Sequence, residues 1–151
     1  MEPLDLNWEF VADTVMGGVS SGQITQEQVA GRAATRLTGD VSLDNNGGFI
    51  QMAADLRDDV SAWTGIAIDV IGNEEDYDVR LRTDQLSRPW QSFRTGFQAP
   101  AQWTTIRFPF ATFESNNTEA RFDPAQLRRI GILAVGEVME ADIAVAQVAL
   151  Y

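Results

Sequence analysis

Apolar and polar residues alternate along most of this chain with a period of two. Leu6, Trp8 and Phe10 stand between Asn7 and Glu9, and Ala33, Thr35 and Leu37 alternate with Arg36 and Thr38. Ile66, Ile68 and Val70 bracket Asp69, while Tyr77, Val79 and Leu81 interleave with Asp78, Arg80 and Arg82. Successive side chains of a strand point to opposite faces, so each run predicts a strand with one buried and one wet side. Phe93, Thr95 and Phe97 around Ser92 and Arg94, and Ile106 and Phe108 around Arg107, continue the pattern. Ile130 to Val135 and Ile143 to Leu150 are more continuously apolar, as strands buried on both faces are.

Turn chemistry separates these runs at Gly17-Gly18, Ser21-Gly22, Asn45-Asn46-Gly47-Gly48, Ile71-Gly72-Asn73, Arg88-Pro89 and Ala99-Pro100. The spacing predicts about ten short antiparallel strands. One helical connector is expected over Asp123 to Arg128, where Asp123 caps, Pro124 suits the first helical position, and Arg128 and Arg129 complement the last turn. The expected fold is all-β, a jelly-roll-like β-sandwich spanning 1–151 as one domain.

The alphabet then narrows the chemistry. The 151 residues contain no His and no Cys, and all 11 basic residues are Arg. This excludes Ser-His-Asp and Cys-His nucleophile systems, Schiff-base lysines, a P-loop lysine, disulfides, and zinc sites built on Cys or His. No glycine fingerprint follows a strand, so no nicotinamide or flavin is expected, and no other cofactor or metal. A net charge of −11 repels nucleic acid and anionic membrane surfaces. With no basic region ahead of an apolar segment, and no run near the roughly 20 apolar residues of a spanning helix, the expected address is cytoplasmic.

Several groups carry candidate chemistry. Asp13, Met16 and Ser20 surround Gly17-Gly18, and read either as a folded corner or as a loop rim that meets a ligand. Asn45 and Asn46 form a hairpin-type turn open to the same two readings. Arg80 and Arg82 share one strand face with Asp78, and Arg94, Arg107 and Asp69 hold the equivalent face of other strands. If those strands pair, guanidiniums line a sheet surface, either as an ion-pair ladder or as a face that recognises a carboxylate, sugar or protein segment. Among the four tryptophans, Trp90, beside Gln91 and after Pro89, is the candidate stacking platform, since it lies in a polar stretch. Glu74-Glu75-Asp76 reads as a solvated acidic turn, with a Ca²⁺ loop as the sharper alternative.

Three stretches taken together resemble the complex I intermediate-associated protein 30 family. They are Trp8 to Ser20, with Val15-Met16-Gly17-Gly18-Val19-Ser20; Gly39 to Phe49, ending in Asn45-Asn46-Gly47-Gly48-Phe49; and the Tyr77 to Arg82 strand with Trp103 to Phe113, containing Pro109-Phe110 and Phe113. The resemblance covers about Asp5 to Tyr151. It implies a galactose-binding-domain-like β-sandwich without established catalysis, akin to chaperones that attend respiratory complex I assembly intermediates. The expectation is therefore a non-enzymatic module that binds a protein partner. The alternative is a carbohydrate or small-molecule module using Trp90 and the arginine face, and a carboxylate-pair hydrolase built on Asp13 with Asp69 or Asp78 is a residual third.

Overall fold

The twelve strands that form among the described residues stack as two antiparallel sheets around a shared apolar core. The computed structural model describes every residue of 1–151 except Gly47, together with all side chains but those of Val15, Met16 and Asn46. The first sheet runs β3 (Ser21–Val29), β4 (Arg32–Val41), β12 (Met139–Leu150), β6 (Gly65–Gly72) and β9 (Thr104–Pro109), with β1 (Glu2–Pro3) also paired to β12. The second runs β10 (Glu114–Asn116), β8 (Ser92–Gln98), β7 (Asp76–Thr83), β11 (Leu127–Val135), β5 (Phe49–Asp55) and β2 (Glu9–Ala12). The all-β, two-sheet architecture is the one that the period-two pattern predicts.

The alternating residues do what the alternation implies. Leu37, Ile68 and Ile143 of the first sheet and Ile50, Val79, Leu81 and Ile132 of the second are wholly buried in the same cluster. Each such side chain contributes about 1.5–3 kcal/mol by leaving water. Phe122, from the loop before β11, closes one edge by packing its ring 5.3 Å from both Phe93 and Phe110.

Three local details refine this architecture. The count exceeds ten partly because β1 and β10, of two and three residues, are too short to show a period. The helical connector is a 3-10 turn of Pro124–Gln126, with the Asp123 carboxylate accepting from the Ala125 amide at 3.0 Å. Arg128 and Arg129 do not end a helix: they lie in β11, where Leu127 and Ile130 reach the core and draw the chain into the sheet.

Gly22 and Gly39 face each other across β3 and β4. Gly39 has φ +155°, and a Cβ there would run into the Ser21 carbonyl oxygen and the Gly22 Cα. Neither neighbour is a side chain able to swing aside. Gly39→Ala is expected to cost about 2–4 kcal/mol through combined strain and overpacking, read as a lowered denaturant midpoint with an unchanged slope.

Candidate functional site

Asp13 begins a 3-10 turn, Asp13–Met16, directly after β2, and Gly17 closes that turn at φ 86°. Its carboxylate is fully buried, with 0% exposure. Oδ1 accepts from the Ser20 amide at 3.0 Å; Oδ2 accepts from the Ser20 hydroxyl and from the Gly48 and Phe49 amides at 2.6 and 3.2 Å. Ser20 is itself buried and is bonded to the backbone of Ser42. Burial pushes the Asp13 carboxyl up, but the Ser20 hydroxyl and the three amides outweigh it and hold the group below the ordinary carboxylate range. Asp13 and Ser20 thus tie the β2–β3 and β4–β5 connections together from inside. Asn45 is exposed at φ 57° on the same corner. The side chains of Met16 and Asn46, named with them from sequence, lie outside the described residues, as does Gly47.

The arginine face lies on the outside of the second sheet. Strand register arranges it in rows. Arg82, Arg129 and Asp55 form one row across β7, β11 and β5. The next holds Arg94, Arg80, Gly131, Ala53 and Glu9, and the third Gly96, Asp78, Leu133, Gln51 and Val11. Rows lie two residues apart, so with the further row Gln98, Asp76, Val135 and Phe49 the face is about 20 Å long. At that last end it deepens into a hollow of about 500 Å³ lined by Asp76, Asp78, Arg94, Gly96 and Val135.

Charges on this face are unevenly matched. Asp78, only 6% exposed, accepts from Arg80 Nε at 3.1 Å and from Arg94 Nε and Nη2 at 2.8 and 2.6 Å. Arg129 donates to Asp55 at 2.7 Å and to Glu9 at 2.6 Å. Arg82 donates instead to two backbone carbonyls, Gln91 at 3.1 Å and Arg88 at 2.9 Å. Burial, and then the positive charge of Arg129 beside it, lower its pKa. Among the described residues, Arg36, Arg80, Arg94, Arg128 and Arg129 are half-buried and all hold a carboxylate, while Arg82 is half-buried and holds none.

Arg107 and Asp69, expected alongside these arginines, belong to the other sheet, on β9 and β6. There Asp69 pairs with Arg32 at 2.9 Å and accepts from the Thr105 hydroxyl, and Arg107 lies over the Tyr151 ring at 4.8 Å. Alternation puts a residue on a face but does not say which sheet its strand joins.

The turn between β7 and β8 carries Trp90, 60% exposed. Gln91 organises the turn, its Oε1 accepting from the Ser87 and Arg88 amides at 3.0 Å each. Arg82 clamps its carbonyls from the sheet side, and Asn117 Nδ2 reaches the Trp90 carbonyl at 3.3 Å. Arg88 sits 5.9 Å over the indole. Trp8 and Trp63 pack against the core, and Trp103 is half-buried beneath Arg32 with its indole N–H on the Val29 carbonyl. Trp90 is the exposed one.

Sequence reasoning missed the central parts of this face: Asp78 as the shared carboxylate, Arg129, and Gln51 over Gly131. A Cβ on Gly131 would come within 2.7 Å of Gln51 Oε1, so the bare glycine makes room for that carboxamide in the middle of the sheet. Outward alternation of Gln51 between Ile50 and Met52 was the available signal. In the acidic turn, Asn73 Oδ1 accepts from the Tyr77 hydroxyl at 2.7 Å, and Glu74, Glu75 and Asp76 are exposed. Among the described residues no three carboxylates converge on a point that would hold a metal, and no helix is long and apolar enough to cross a membrane.

Solved structures share this architecture. A family 11 carbohydrate-binding module from Clostridium thermocellum, in complex with a β-1,3-1,4-mixed-linked tetrasaccharide, matches 99% of this chain and 94% of its own at TM-score 0.80 and 14% identity. A family 30 carbohydrate-binding module of a cellulosomal cellulase from Clostridium thermocellum matches 100% and 94% at TM-score 0.71 and 12% identity. At such identities the likeness is one of fold. No curated protein matches the chain in sequence. The model of the complex I intermediate-associated protein 30 family, however, matches residues 2–145. With nearly its whole length covered, the chain belongs to the complex I intermediate-associated protein 30 family.

Proposed function

We propose that this chain is a non-catalytic binding module that docks a protein partner on the outer face of its second sheet, with Trp90 as the anchor at the rim. The carrying observation is Trp90 itself. An indole left 60% exposed costs solvation, yet its turn is held by Arg82, Gln91 and Asn117. A large aromatic presented on an already ordered turn loses little entropy on binding, which is the property of an interface anchor. Membership of the family supports a partner among assembly intermediates of respiratory complex I, and the arginine rows supply the polar surround.

Trp90→Ala is expected to weaken partner capture from native lysate at least tenfold. Stability should change by no more than about 0.5 kcal/mol, as for other surface sites. Capture that is specific yet indifferent to Trp90 would move the interface elsewhere. Carbohydrate binding is the second reading, favoured by the same exposed indole on a fold shared with sugar-binding modules. Calorimetric titration with a β-1,3-1,4-mixed-linked tetrasaccharide decides it: saturable binding lost in Trp90→Ala would replace the protein partner with a glycan.

A further inference from the structure

Resting on the docking reading above, we infer that Arg82 is the receptor for a carboxylate on the protein partner, and that the partner carries a cation two to three strand spacings, about 10–14 Å, away, over Asp55 and Glu9. The first half follows from the accounting of guanidiniums. Nε and one Nη2 proton of Arg82 go to the Gln91 and Arg88 carbonyls. A guanidinium has five N–H groups, so the Nη1 edge is left to take a further acceptor. Those two carbonyls also fix the plane of the fork, so little freedom remains to be lost when a carboxylate arrives.

The second half follows from how charge is divided across the sheet. On β7 and β8, Arg80, Arg82 and Arg94 outnumber the two carboxylates, Asp78 among them and Asp76 at the far end of β7. On β11, β5 and β2, Arg129 stands against Asp55 and Glu9, whose side chains are 78% and 60% exposed. One side of the face is therefore basic and the other acidic, with Asp55 two strand spacings (about 10 Å) and Glu9 three (about 14 Å) from the Arg82 strand. Between them Gly131 and Ala53 carry no long side chain and are buried, with the Gln51 carboxamide lying against Gly131. A peptide bearing an acid and a base matches both sides. A uronic-acid glycan matches only one, and its repeated charge is opposed by a chain of net −11.

The test uses the full chain labelled with ¹⁵N, titrated with acetyl-Glu-Gly-Gly-Lys-amide, its counterpart with Gln for Glu, its counterpart with Gln for Lys, and trigalacturonate. The expected result is a saturable shift of the Arg82 Nε resonance with the first peptide. Binding should be at least tenfold weaker when Glu becomes Gln, lost in Arg82→Gln, and unchanged in Arg32→Gln on the other sheet. Glu9→Gln/Asp55→Asn alters two exposed side chains and keeps an acceptor oxygen at each for Arg129, and should erase the advantage of the Lys peptide over its Gln counterpart whether or not Arg82→Gln folds. Equal response to the first two peptides, or tighter binding of trigalacturonate, would overturn the inference. If the peptides fail while Trp90→Ala still releases the native partner, the docking reading stands and the carboxylate assignment falls. If Arg82 responds as expected but Trp90→Ala changes nothing, the assignment stands and the anchor is misplaced.

Discussion

Replacing Asp13 with Ala is expected to remove about 3–5 kcal/mol of folding stability, enough to unfold a large share of a marginally stable domain. The truncation strands the Ser20 amide and hydroxyl and the Gly48 and Phe49 amides at a fully buried position. Hydrogen bonds to a charged acceptor are worth about 1.5–3 kcal/mol each and are not additive, so the sum is capped well below four times that. The effect also carries a pH signature. The folded carboxyl is held below its ordinary value, so its contribution is complete above about pH 4 and is lost as pH falls through the folded value. Denaturant midpoints between pH 2 and 6 should therefore fall less steeply with acid in Asp13→Asn than in the parent. Parallel curves would mean that this carboxylate is not the acid-sensitive tie of the corner.

Asp78→Asn is expected to move stability and binding in opposite directions. With the carboxylate gone, Arg80 and Arg94 face each other directly across β7 and β8 and lose their hydrogen-bonded counter-charge, leaving Glu114 opposite Arg94 on β10 as a weaker one. Breaking a buried pair costs about 3–5 kcal/mol, and the partial exposure of both arginines, 25% and 35%, reduces this to about 2–3 kcal/mol. The two released guanidiniums should then join Arg82 in attracting carboxylate, raising affinity for the Glu-bearing peptide at least fivefold. Denaturation and titration of the same preparation read both effects. A stability loss without tighter binding would show that the Asp78 cluster does not communicate with the docking face.

The face was readable to the extent that it depends on alternation. Tyr77, Val79 and Leu81 turn inward on β7, which leaves Asp78, Arg80 and Arg82 outside, and this follows from the pleat alone. Pairing is a different matter. Arg94 joins Asp78 and Arg107 does not, because β8 neighbours β7 whereas β9 closes the opposite sheet, and no local pattern distinguishes the two strands. β3, an edge strand wetted on much of its surface, Ser21–Val29, need not alternate and carries no period-two signal. The connector after Asp123 was read correctly at its cap and wrongly at its end, since Leu127 and Ile130 gain more by entering the core than a short helix gains by continuing. Asp13 was identified as important while its direction, inward or outward, stayed open. A charged side chain between small turn residues looks the same in either case until the amides it meets, some 35 positions on, are known.

The position of β12 has a consequence for biosynthesis. It lies between β4 and β6 and also receives β1, yet it is translated after all three. While the ribosome works through the preceding hundred or so codons, the facing sides of β4 and β6 have backbone donors and acceptors with no strand to satisfy them. The nascent polypeptide is therefore sticky until β12 emerges, and a stop codon or stalled message ahead of Met139 would release a product prone to aggregate rather than a smaller working protein.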